Sequence, residues 1–265
     1  MTSNIQNFLF IALVTFSAQA LSDVIIYPTT GLNLSATPGF SSDSSLIFKP
    51  SADQTSAVQY RLTTFRVNDR DVDKSKFKIK TLYSSEFKPL DRYQLVLSGK
   101  ENENPVNANF KFEPTWFDIP GVYSGIISSD TNTSDIPIKI TVNPITTLSI
   151  DPDNFKITTS TTNIPKIREI DVIFGSNSPR WDLYVSAESL IKNTGDRINK
   201  DRIFVRIKND SISGSWLALN QPTKLISGYA TPPTKIATLE FFVNANKLEK
   251  TGDYLGKIKF LVKNY

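Results

Sequence analysis

Apolar residues recur at every second position along this chain, and nowhere does a helical period persist. The alternation runs through Val58-Tyr60-Leu62, Phe77-Ile79, Tyr93-Leu95-Leu97, Phe110-Phe112 and Ile136-Ile138-Ile140-Val142. Successive side chains of a strand point to opposite faces, so such runs predict strands with one buried face. Clusters of Pro, Asn, Asp, Ser and Thr separate them, and only Ala187 to Asn193 and Ala245 to Lys250 offer a helical turn. The expected class is all-β, built as antiparallel sandwiches.

Composition narrows the chemistry. The 265 residues include no Cys and no His. That removes His-based triads, general bases and metal sites, Cys nucleophiles and disulfides. An enzyme would have to run on carboxylates, Lys, Tyr or Ser, and the expectation is a non-enzymatic protein with no cofactor. A net charge of +4, with both signs interspersed, is too small to argue for nucleic acid or an anionic membrane as partner.

Near the start, Phe8 to Phe16 form a nine-residue apolar run followed by Ser17-Ala18-Gln19-Ala20. The run is too short to anchor in a bilayer, and Ala18 and Ala20 have the small-x-small spacing of a signal-peptidase site. Residues 1–20 are therefore expected to be an export signal, although Met1 to Asn7 carries no Lys or Arg. Every later apolar segment falls short of the ~20 residues of a membrane helix, so no span is expected in the mature chain. The expected location of an exported chain is the periplasm or the cell surface.

A repeat sets the domain count. Asp118-Ile-Pro-Gly121-Val-Tyr123-Ser-Gly125-Ile-Ile127 and Glu249-Lys-Thr-Gly252-Asp-Tyr254-Leu-Gly256-Lys-Ile258 share acidic-x-x-Gly-x-Tyr-x-Gly-x-Ile, 131 residues apart. That separation suits one sandwich. Pro144 ends one alternating strand and precedes another, so the expected domains are 21–143 and 144–265. The motif resembles the tyrosine corner of immunoglobulin-like sandwiches, in which a Tyr hydroxyl bonds back to the preceding crossover. The resemblance implies that Tyr123 and Tyr254 are structural, with Gly121 and Gly252 easing the corner.

Other candidates are few. Asp69, Asp71 and Asp73 have the odd-position oxygens with which a calcium loop begins, but Lys74 and Lys80 replace its Gly and bidentate Glu, and a solvated turn is the expectation. Trp116 and Trp216 could stack on a ligand such as a glycan, whereas Trp181 shares a face with Leu183 and Val185 and should be core. Asp91, Glu101 and Glu103 lie near one another in sequence, the minimum for a hydrolytic carboxylate pair, and are expected to be surface charges. Three glycosylation sequons, at Asn33, Asn132 and Asn209, matter only in a eukaryotic secretory route.

After Ile127 the first half runs one further strand, Asp135 to Val142, whereas the second half reaches Tyr265 on its motif strand. The segment Gly252-Asp-Tyr-Leu-Gly-Lys-Ile-Lys-Phe-Leu-Val-Lys-Asn-Tyr265 resembles the C-terminus of chaperone-usher pilus subunits, where a Gly fourteen residues from the end and a near-terminal Tyr frame an alternating strand. Tyr265 is last here, where the family's Tyr is penultimate. The resemblance implies a sandwich completed by a partner's strand and the two-domain plan of tip adhesins. The expected function is that of an exported surface or fimbrial subunit in adhesion or assembly, with other protein subunits or a cell-surface glycan or protein as partners. Two alternatives stand beside it: an assembly chaperone, for which Lys166 and Arg168 would be the basic anchor, and a secreted carbohydrate-binding module. If the second sandwich closes within one chain, Asn154 to Thr161 is the expected filler.

Overall fold

The computed structural model describes residues 24–101, 103–131, 134–154, 167–208, 215–245 and 252–265. The expected export signal, residues 1–20, lies outside them. The chain is all-β and forms two immunoglobulin-like sandwiches in tandem.

The first sandwich contains β1 (Ile25–Tyr27), β2 (Leu32–Ala36), β3 (Ser42–Lys49), β4 (Val58–Val67), β5 (Arg70–Asp71), β6 (Phe77–Lys80), β7 (Lys88–Pro89), β8 (Gln94–Leu97), β9 (Val106–Phe112), β10 (Gly121–Ser129) and β11 (Ile136–Val142). One sheet has the order β1-β3-β9-β6-β7. The other runs β2-β11-β10-β4-β5, with β8 also on β4. Its pairs are antiparallel except β2 on β11, which is parallel. Inward positions alternate as the sequence predicts: Ile136, Ile138, Ile140 and Val142 of β11 are all buried.

The second sandwich contains β12 (Thr146–Asp151), β13 (Arg168–Ser176), β14 (Trp181–Ala187), β15 (Leu190–Ile191), β16 (Arg197–Ile198), β17 (Ile203–Ile207), β18 (Leu217–Ala218), β19 (Thr223–Gly228), β20 (Thr231–Val243) and β21 (Ile258–Asn264). The sheet β12-β13-β20-β17-β18 repeats the order of β1-β3-β9-β6-β7. The facing sheet is β19-β14-β21, matching β8, β4 and β10. A single 3-10 turn precedes β6 (Lys74–Lys76) and another precedes β17 (Lys200–Arg202), so the halves match in detail. No helical turn forms over 187–193, where Ala187 ends β14 and Leu190–Ile191 pairs with β16. The other expected turn lies outside the described residues beyond Ala245.

Trp181 is core, as its alternation with Leu183 and Val185 requires. Its ring lies 4.2 Å from that of Phe174, and its indole N–H donates to the Tyr229 carbonyl at 2.7 Å. The strand beside it carries Gly228, where an added Cβ would stand 2.3 Å from the Trp181 ring. Contacts that short do not occur between real side chains, so ring and methyl cannot share the site. Gly228→Ala is expected to displace the indole, seen as red-shifted emission and a loss of roughly 1–3 kcal/mol in denaturant melts. Unchanged emission and stability would show that the ring does not need this close approach.

A polar junction joins the two halves. Asn177, fully buried, donates from Nδ2 to the Asp118 carbonyl at 3.2 Å and to the Asn143 carbonyl at 3.0 Å. Its Oδ1 accepts from the Ile145 N–H at 2.9 Å. One side chain therefore satisfies backbone groups of the first sandwich and of the segment leading into the second.

Candidate functional site

The first copy of the repeat forms a tyrosine corner. Tyr123, buried in β10, packs with ring centroids 5.7 Å from Phe65 and 6.0 Å from Phe112, and its hydroxyl donates to the Ile119 carbonyl at 2.9 Å. Burial, with Asp118 nearby, pushes its phenol upward, so it stays protonated and donating. Gly121 opens the strand at φ +152°, a conformation that side chains resist. Asp118 braces the loop by accepting from the Thr115 N–H and hydroxyl and pairing with Lys76 at 2.6 Å.

The second copy differs. Gly252 has a similar φ of +146°, but Tyr254 lies in irregular chain ahead of β21 and is only half-buried. Leu255 is bonded to Ile191 in both directions, at 2.8 and 2.9 Å, which fastens this stretch to β15. The strand consequently begins at Ile258 and not at the Gly, and Tyr254 does not stand at its start as Tyr123 does in β10.

What distinguishes the second sandwich is the flank of that strand. In the first, β10 lies between β4 and β11, so both of its edges are paired. In the second, β21 pairs with β14, and among the described residues nothing pairs with its other edge. No described counterpart of β2 or β11 exists either. Asn264 donates to Thr146 at 2.9 Å, so the end of β21 meets the start of β12, the edge of the facing sheet.

The core records the consequence. Ile258, Phe260 and Val262, the inward residues of β21, are half-buried, as are Leu148 and Ile150 of β12. Among the described residues, twelve half-buried apolar side chains pack on a buried core of fourteen, against three on twenty-six in the first sandwich. Among the described residues the two edge strands border an apolar groove whose β21 side has no backbone partner; the expected internal filler, Asn154 to Thr161, lies outside the described residues after Asn154. Folded proteins normally cover such an edge, because it templates pairing with another strand.

The end of β21 is held firmly. The Tyr265 N–H donates to the Arg180 carbonyl at 2.9 Å, and its hydroxyl donates to Asp182 at 3.0 Å. Arg180 and Lys263 both approach its ring, at 5.6 and 4.9 Å. Asp182 also accepts from Ser227 at 2.7 Å, and that hydrogen bond, with the Tyr265 hydroxyl and nearby Lys224 and Arg180, holds its carboxyl below the usual range.

The other sequence candidates do not converge. Asp69 sits at a hairpin tip with φ +61°, Asp71 pairs with Arg66 at 2.8 Å, and Asp73 caps the 3-10 turn by accepting from the Ser75 N–H at 3.0 Å. These are turn roles, and the three carboxylates do not form a cation cage. Trp116 is half-buried beside the exposed Phe117. Trp216 belongs to a cluster, with Arg206 over its ring at 4.3 Å and Phe242 edge-on at 4.4 Å, so one face is already taken. Arg168 opens β13, eight residues of extended chain from the junction at Ser176, or about 26 Å. Lys166 lies outside the described residues.

Glu101 is occupied by its own loop. Burial raises its carboxyl, but the hydroxyls of Ser98 and Tyr83 and the Ser98 N–H outweigh that and bring it to about 2. The Gly99 and Lys100 N–H groups also donate to it. A carboxyl lowered from an ordinary 4.5 adds stability above that pH and loses it as the pH falls toward 2. Glu101→Gln should therefore destabilise at neutral pH and have a much smaller effect near pH 2. An equal effect at both pH values would contradict the assignment.

Compared with solved structures, the chain is similar to a chain of the CsuC–CsuE chaperone–tip adhesion subunit pre-assembly complex from archaic chaperone-usher Csu pili of Acinetobacter baumannii, at 10% identity over 89% of this chain and 99% of that one, with a TM-score of 0.39. It is similar to a chain of the chaperone–tip adhesin complex of CFA/I fimbriae biogenesis at 12% identity, 88% and 96% coverage and a TM-score of 0.32. The C-terminal domain of the Streptococcus agalactiae AgI/II polypeptide BspA gives 12% identity, 92% and 96% coverage and a TM-score of 0.23. The first two are weak structural resemblances to chains of pilus chaperone and tip-adhesin complexes. Searched against protein-family models and curated proteins, the chain matches none.

Proposed function

We propose that this protein is an exported, non-enzymatic subunit of a fimbrial or surface assembly, acting in adhesion or assembly by accepting a strand from another polypeptide along β21. The observation that carries this reading is the contrast between the two halves: β10 has β11 on its outer edge, and β21 has no described partner there. Strand addition suits the site, since the open N–H and C=O groups supply affinity and the half-buried Ile258, Phe260 and Val262 supply pockets for alternate apolar side chains. The resemblance of Gly252 to Tyr265 to the C-terminus of chaperone-usher pilus subunits points the same way.

The test is to add a peptide copying Asp135 to Val142, the strand that completes the first sandwich, to the full chain, or to fuse it after Tyr265 through a flexible linker. The expected result is a higher melting temperature for the second sandwich. No shift with either format would remove strand addition as the function.

A further inference from the structure

We infer that the strand received by β21 carries acidic side chains at its solvent-facing positions; this rests on the strand-addition reading above and names the chemistry of the partner. On β21 the inward side chains are Ile258, Phe260 and Val262, and the outward ones begin with Lys259, Leu261 and Lys263. Lys257, one step before the strand in the same alternation, is exposed. A strand laid along this edge places each of its outward residues directly beside one of these.

The nearby carboxylates leave that row cationic. Asp182 lies opposite Lys263 on the same outward face, where it is buried among Ser227, Tyr265 and Lys224 with Arg180 nearby, so the two cations beside it offset its charge. Glu188 pairs with Lys259 at 2.6 Å, but both are well exposed and the pair lies on the β14 side, away from the open edge. Lys263 lies over the Tyr265 ring, a contact that keeps its charge. Directly opposed unlike charges stabilise neighbouring strands and like charges destabilise them. A partner alternating apolar and acidic residues therefore fits both faces, while one alternating apolar residues and lysines fits only the core face. By the same argument, the position beside Leu261 favours an apolar outward residue.

Three nine-residue peptides separate the possibilities: Val and Ile at alternate positions, with Glu, Gln or Lys between them. Titrated by calorimetry into the full chain at low ionic strength, the Glu peptide is expected to bind about tenfold more tightly than the Lys peptide, with Gln between. The spread should collapse near 1 M salt, where screening acts over about 3 Å. In the double variant Lys259→Glu, Lys263→Glu the order should invert. Equal binding of all three, or an order unchanged in that variant, would overturn the acidic preference and leave strand addition standing. Binding by none would overturn strand addition itself. Both residues are exposed, and the peptide series on the unaltered chain decides the question even if the variant folds poorly.

Discussion

Replacing Tyr123 by Ala is expected to destabilise the first sandwich by roughly 3–5 kcal/mol, the cost of emptying a fully buried aromatic site. The ring is 1% exposed and packs on Phe65 and Phe112, so little of the cavity can be refilled without moving other aromatics. Tyr123→Phe keeps the ring and removes the hydrogen bond to Ile119, which is worth about 1 kcal/mol. Denaturant melts of both variants check the pair. Equal losses would assign the whole effect to the hydroxyl, and two losses near zero would show that the corner does not support the core.

Asn177→Leu should act on the coupling of the halves. Leu has the same branched shape, though bulkier, and leaves the Ile145 N–H and the Asp118 and Asn143 carbonyls without the Asn177 side chain as partner. A buried backbone group left unpaired costs roughly 1–3 kcal/mol, so a total loss of about 3 kcal/mol or more is expected. The loss falls between the sandwiches and not within either core. Calorimetry should therefore show two transitions drawn apart, with the second sandwich melting first. A single transition at the original temperature would mean that the junction contributes nothing.

Strand class was legible because two-residue alternation reports a buried face directly, as in β11, where each inward Ile is buried. Tyr123 was legible for a related reason: its hydroxyl bonds only four residues back, and local geometry can be read from local sequence. The same pattern around Tyr254 misplaces the strand start, because the pairing of Leu255 with Ile191 is set by a contact distant in sequence. The parallel pairing of β2 with β11 was hidden likewise, since alternation gives a face but no direction. Asn177, in a Ser-Asn-Ser-Pro stretch that reads as an ordinary turn, carries no signal of its role. The strand that follows Ile127 in the first half raises the question of what flanks its counterpart in the second, and only the sheet order shows that, among the described residues, β14 alone pairs with β21.

Hydrogen exchange across Ile258–Asn264 tests the central claim most directly. If β21 pairs only with β14, alternate amides of this strand are protected and those between them exchange quickly, as expected of an edge strand. Adding the strand peptide should then slow the fast set selectively, leaving β10 unchanged. Uniform protection of all β21 amides in the free protein, with no response to the peptide, would contradict the account, because the edge would already be filled.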